Sequence, residues 1–162
     1  LPGAVATPVR SPDPQNSFPD TDTRYWKKIA TFNTQGQVNT LSLSSIRLQQ
    51  VADIIPPLVQ HVMTLDLANT NLPVADIAKI LSCIDSAQGP LQHLRLGGNC
   101  LVLDDLQTIF LVESPSFLSR VSSLDLRYNN LGPQGAEFLA TWLMTRDQPC
   151  CKILYLEGTQ LG

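Results

Sequence analysis

Long hydrophobic runs are missing. No segment approaches the ~18 to 20 consecutive apolar residues of a membrane-spanning helix, so the expectation is a chain without a membrane span, and no secretory hydrophobic region opens it. Positive charge is scarce, with 11 Lys and Arg against 14 Asp and Glu, a formal net charge of −3 and a pI near 5.2. A nucleic-acid module usually carries a basic stripe, so nucleic acid is not expected as a partner. The four cysteines, Cys83, Cys100, Cys150 and Cys151, include an adjacent pair but no CxxC. Structural zinc wants paired CxxC units, or one with two histidines. The cysteines therefore read as small, partly buried hydrophobes of an intracellular, reducing compartment.

Nucleophile and cofactor motifs are also lacking. The sequence contains no GxSxG, GxxxxGK[ST], HExxH or GxGxxG. His61 and His93 are the only histidines. A Ser–His–Asp set could be drawn from His93, Ser123 and Asp66 or Asp125. A nucleophile, however, needs a shaped pocket and an oxyanion hole, and an open sheet offers neither. The expectation is a non-enzyme with no cofactor and no metal.

What the chain has is leucine at fixed intervals. Val121–Leu131 reads VSSLDLRYNNL, a pattern LxxLxLxxNxL with Leu124, Leu126, Asn129 and Leu131. The same template fits at Val38, Leu41, Leu43 and Leu48, with Ile46 at the asparagine place. It fits again at Val62, Leu65, Leu67 and Leu72, with Thr70; at Leu91, Leu94, Leu96 and Leu101, with Asn99; and at Cys151, Leu154, Leu156 and Leu161, with Thr159. The starts at 38, 62, 91, 121 and 151 settle to a spacing of 29 to 30 residues. In a strand, alternate side chains share a face, so each LxL pair points one way. Stacked strands would then gather those leucines into one apolar column. The turn after each strand must satisfy buried backbone groups. Asn99, Asn129, Thr70 and Thr159 carry side chains able to do so. Ile46 does not, which marks the first copy as an atypical terminal repeat.

Helical patterns lie between the strands. Leu72, Ile77, Ile80, Leu81 and Ile84 fall at three- and four-residue spacing. So do Leu101, Leu106, Ile109 and Phe110, and so do Leu131, Ala136, Phe138, Leu139, Trp142 and Leu143. Pro133 suits a first helical turn. This architecture resembles the ribonuclease-inhibitor-like class of leucine-rich repeats, most closely over LDLRYNNLGPQGAEFLATWL with its Gly135. The resemblance implies an α/β fold: a curved right-handed solenoid of about five repeats, with parallel strands on its concave face and helices on its convex face. It also implies protein partners, as in ribonuclease inhibitor, the Ran GTPase-activating protein, sensor domains of intracellular immune receptors and scaffold proteins.

Residues 1–24 form a tail with five of the twelve prolines: Pro2, Pro8, Pro12, Pro14 and Pro19. Such a segment reads as disordered or extended polyproline II by itself; an ordered tail would lie against the solenoid's own flank or, the preferred reading, against another chain. Residues 25–37 read as an aromatic cap, with a short helix over Arg24–Phe32 whose Tyr25, Trp26, Ile29 and Phe32 share a face. Residues 38–162 form the repeat domain, its last copy incomplete. An initial Leu and a stop before the fifth helix lead to the expectation of a longer native chain or a covering partner. Pro56-Pro57 would interrupt the first connecting helix.

Between and beside the LxL leucines, every strand offers outward residues. They are Thr40, Ser42 and Ser44; Thr64, Asp66 and Ala68; His93, Arg95 and Gly97; Ser123, Asp125 and Arg127; and Ile153, Tyr155 and Glu157. The residue inside LxL runs Ser42, Asp66, Arg95, Asp125, Tyr155, a ladder expected to form cross-strand ion pairs. Asp66, His93, Arg95, Asp125, Arg127, Tyr155 and Glu157 are the candidate partner-binding residues, since Arg and Tyr are enriched at binding hot spots. The expected function is a protein-interaction module, a scaffold or structural subunit of a larger assembly. The rivals are a small-GTPase regulator and a ligand-sensing receptor fragment.

Overall fold

The leucines at 41, 65, 94, 124 and 154 stand side by side. In the structure, a computed structural model, they lie in register on five parallel strands. The described residues are 30–44, 59, 61–86, 90–111, 119–144 and 151–161, with backbone alone at 85 and 86. The proline-rich tail, Tyr25, Trp26, Ile29, Ile46, Leu48, Pro56-Pro57 and Cys150 lie outside them.

Among the described residues, six strands form one sheet in sequence order: β1 (Ala30–Phe32), β2 (Val38–Ser42), β3 (Thr64–Asp66), β4 (His93–Arg95), β5 (Ser123–Asp125) and β6 (Ile153–Tyr155). From β2 to β6 every neighbour is parallel, and Leu41, Leu65, Leu94, Leu124 and Leu154 pair across the sheet in register. The first four are essentially inaccessible, and Leu154 is half-buried. The second leucine of each pair follows the same course, with Leu43, Leu67, Leu96 and Leu126 buried. Each fully buried leucine gains about 1.5–3 kcal/mol over an exposed one, so the repeated LxL drives the stacking.

Among the described residues, three helices follow strands: α1 (Val74–Ser86) after β3, α2 (Leu103–Leu111) after β4 and α3 (Gly132–Met144) after β5. Their apolar stripes join the strand leucines in a single core, through Ile77, Ile80, Leu81 and Ile84 of α1, Leu106, Ile109 and Phe110 of α2, and Leu139 and Trp142 of α3. Phe110 and Trp142 meet with ring centroids 4.9 Å apart, tying α2 to α3. Phe138 and Leu143 are only half-buried. Helix starts are satisfied locally. Asp105 in the first turn of α2 accepts the Val102 N–H at 2.9 Å, half of a capping box. At the start of α3, a Cβ on Gly135 would stand 2.6 Å from the Leu131 Cβ, so only glycine fits there. Among the described residues, no helix is long and apolar enough to cross a membrane.

The N-terminal side differs from expectation. Ala30–Phe32 is not the end of a helix but a strand, antiparallel to β2, with Ala30 opposite Leu41. The turn between them explains the difference. Gly36 takes φ +74°, and the Asn33 side chain accepts the N–H groups of Gln35 and Gln37 at 2.9 and 3.0 Å. That turn lays the segment along the free edge of β2, where ladder hydrogen bonds outweigh a helical spacing of aromatics. Phe32 is 41 % exposed, so it does not enter the core.

Candidate functional site

Behind β3, β4, β5 and β6 the chain turns, and the turn asparagines lock one repeat to the next. Asn129 Nδ2 donates to the carbonyls of Leu96 and Leu126, at 3.0 and 2.9 Å. Its Oδ1 accepts the N–H groups of Asn99 and Leu101, both at 3.0 Å. Asn99 repeats the pattern one turn earlier. It donates to Leu67 and Leu96 and accepts from the N–H groups of Thr70 and Asn71. The hydroxyls of Thr70 and Thr159 donate to Leu67 and Leu156 within their own turns. All four side chains belong to buried residues. Buried backbone groups without partners are costly, and these side chains satisfy them.

The residue before each of these positions adopts a left-handed conformation: Asn69 at φ 54°, Gly98 at 66°, Tyr128 at 56° and Gly158 at 67°. Large and glycine residues alternate in this column for a steric reason. A Cβ on Gly98 would meet the Asn69 Oδ1 at 2.0 Å, and one on Gly158 would meet the Tyr128 ring at 2.6 Å. Each larger side chain lies over the glycine of the following repeat. Tyr128 is 60 % exposed. The nearby Glu157 carboxylate pushes its phenol above the ordinary range.

These turns carry the sheet's outward face. Its central column is in register: Ser42 beside Asp66, Asp66 beside Arg95, Arg95 beside Asp125 and Asp125 beside Tyr155. His93 sits next to Ser123 and is exposed. The charges do not simply pair across strands. Arg95 Nη1 reaches Asp66 Oδ2 across β3 and β4 at 3.4 Å. Asp125 instead takes its partner two residues along its own chain. It accepts Arg127 Nε at 3.0 Å, Arg127 Nη2 at 2.7 Å and the Arg127 N–H at 3.0 Å. Asp66 makes the equivalent turn, accepting the Ala68 N–H at 3.0 Å. Both aspartates bend inward over their own backbone, which is why Asp66 and Asp125 are buried although they lie on the outward face.

The electrostatics follow. Burial raises the Asp125 carboxyl, but the Arg127 guanidinium and N–H, with the more distant charge of Arg95, more than offset it and hold it below the usual carboxylate range. The Arg127 guanidinium lies over the Tyr155 ring, 5.2 Å from its centroid, a favourable cation–π distance. Arg127, Tyr155 and Glu157, with Tyr128, therefore gather at the β5–β6 end. Arg95 and His93 lie at β4, and Asp66 supports Arg95 from β3. Tyr128 was not singled out by the repeat template. The alternation of Asn69, Gly98, Tyr128 and Gly158 is the signal that points to it. Among the described residues, no three His, Cys, Asp or Glu side chains gather as metal ligands would.

A leucine-rich repeat family model matches residues 121–140, which hold β5, its asparagine turn and the first part of α3. Comparison with curated proteins and with solved structures gives no match. The six-stranded, mostly parallel sheet with its three helices fits a leucine-rich-repeat-like fold. The match supports a leucine-rich repeat in this chain, and such a repeat suggests a protein-interaction module.

Proposed function

We propose that this chain is a non-catalytic protein-interaction module, a scaffold or structural subunit of a larger intracellular assembly. In this reading its repeats are of the ribonuclease-inhibitor-like class, about five of them stacked into a curved solenoid over 38–162. The strand-plus-helix unit of 29 to 30 residues favours that class over repeats with an extended outer side.

The observation that carries the reading is the outward face of the sheet, which no helix covers among the described residues. The helices share one core with the strand leucines, while Arg95, Arg127, Tyr155, His93 and Glu157 stand on the opposite side. The backbone beneath them is fixed by the asparagine turns, and a preformed surface loses little entropy on binding. Asp66 and Asp125 contribute by fixing the arginines. The test is affinity isolation with quantitative mass spectrometry, using the chain, a face variant (Tyr155→Ala with Arg95→Ala) and a helix-surface variant (Glu137→Ala with Thr141→Ala). A stoichiometric partner retained by the chain and the helix variant, and lost with the face variant, is expected. A partner retained equally by all three contradicts the reading.

A further inference from the structure

The two arginines of the outward face are held with their charge turned to solvent. The Asp66 and Asp125 side chains keep 12 % and 7 % of their exposure, whereas Arg95 and Arg127 keep 56 % and 41 %. In each pair the carboxylate is the buried member and the guanidinium the accessible one. A chain of net charge −3 thus presents two solvent-facing guanidinium groups on this face.

Donor counting shows how much of each guanidinium is spent. The group carries five N–H donors. Arg127 uses its Nε and one Nη2 donor on Asp125, and Arg95 uses one Nη1 donor on Asp66. Among the described residues no further acceptor engages either group, so each keeps most of its donors. Arg127 is also fixed by the Tyr155 ring beneath it, which lowers the cost of ordering a long side chain at an interface.

The floor between the two arginines is low. Gly97 occupies the β4 position equivalent to Arg127 and has no side chain, and Ala68 precedes it in the column. A Cβ at Gly97 would stand 3.1 Å from the Arg127 carbonyl oxygen and 3.5 Å from Asp125 Oδ1, so even a methyl group there is crowded. Arg95 and Arg127 differ by one strand and two residues. A strand spacing of ~4.8 Å and a rise of ~3.3 Å per residue put their backbones roughly 8 Å apart. In an extended peptide, side chains two residues apart are separated by roughly 7 Å on one face. Glu157 bounds the two arginines on the β6 side, beside Tyr128.

We propose that Arg95 and Arg127 form a two-guanidinium clamp for an extended acidic segment of a partner protein, whose carboxylates recur every second residue. The proposal rests on the reading of this face as a binding surface and names the chemistry that it recognises. Charge complementarity supplies the attraction, the buried aspartates supply the orientation and Gly97 leaves room for the peptide backbone.

The probe is a fluorescein-labelled twelve-residue peptide of alternating glutamate and glycine, titrated with the full 162-residue chain and read by fluorescence anisotropy. Its glutamine–glycine counterpart is the control. The glutamate peptide binds, weakens as salt is raised from about 50 to 200 mM because the face is exposed to screening, and loses at least about fivefold in affinity, about 1 kcal/mol, on Arg95→Gln. Arg127→Gln has a comparable effect where circular dichroism shows it folded. Because that change strands the buried Asp125 charge, Arg95→Gln carries the test on its own. No binding of the glutamate peptide at millimolar concentration overturns the clamp. So does equal binding of the glutamine peptide, or an affinity unmoved by Arg95→Gln. A partner lost with the Tyr155→Ala, Arg95→Ala face variant alongside any of these results leaves the face reading standing and sinks the clamp alone. A partner indifferent to the face variant sinks both.

Discussion

Replacing Asn129 by alanine tests whether the turn asparagines hold the repeats together. The residue is 2 % exposed and makes four hydrogen bonds to backbone. The Leu96 carbonyl keeps a second donor, Asn99 Nδ2, after the change. The Leu126 carbonyl and the N–H groups of Asn99 and Leu101 lose the partner that Asn129 gave them. Each buried group left without a partner costs about 1–3 kcal/mol. With some relief from water entry the total is roughly 3–5 kcal/mol, a large share of the ~5–15 kcal/mol stability of a typical domain. Thr70→Ala is the comparison. It removes the hydroxyl bonds to the Leu67 carbonyl and Asn99 Oδ1, but both acceptors keep other donors. Its cost is about 1 kcal/mol or less. Urea unfolding followed by circular dichroism at 222 nm reads both. Equal costs for the two variants, or a cost below about 1 kcal/mol for Asn129→Ala, would refute the reasoning.

Gly158→Ala places a side chain at φ +67° and against the Tyr128 ring. It destabilises by roughly 2–3 kcal/mol, falling to about 1 kcal/mol in a Tyr128→Ala background, as a double-mutant cycle of urea midpoints measures. Asp125 is depressed in the folded chain, so its contribution to stability is present above the unfolded carboxylate value of about 3.9 and is lost as pH falls through the lower folded value. The stability gap between the chain and Asp125→Asn therefore narrows as pH falls below the unfolded carboxylate value of about 3.9; a gap independent of pH contradicts the assignment. Cys100 is exposed, whereas burial pushes the half-buried Cys151 thiol up. Since the thiolate is the nucleophile, Cys100 reacts with a maleimide before Cys151, as peptide mapping of a time course shows.

The leucine periodicity made the sheet legible because one pattern had to serve every repeat. A slip of one residue would have turned a whole LxL pair to solvent, so the register from Leu41 to Leu154 was readable from spacing alone. The helices were equally plain, since Ile77, Ile80, Leu81 and Ile84 leave one apolar stripe. What the spacing could not give was competition between local solutions. Residues 30–32 carry apolar spacing that suits a helix, yet the Asn33–Gln37 turn hands them to the edge of β2. The ladder Asp66, Arg95, Asp125 suggested pairing across strands. For Asp125 the nearer donor was Arg127, two residues on, because a carboxylate at a strand end can accept its own chain's N–H and guanidinium together. The role of Tyr128 depended on a backbone φ and on a glycine thirty residues away, neither of which a leucine template reports.

The most direct test of the account is the amount of stoichiometric partner retained by the chain and by its Tyr155→Ala, Arg95→Ala variant, measured in parallel by quantitative mass spectrometry after affinity isolation, with circular dichroism showing both folded. Loss of the partner from the variant, and its retention by Glu137→Ala with Thr141→Ala, is the result expected of a sheet-face binding module. Equal retention by all three would contradict the assignment of function to this face.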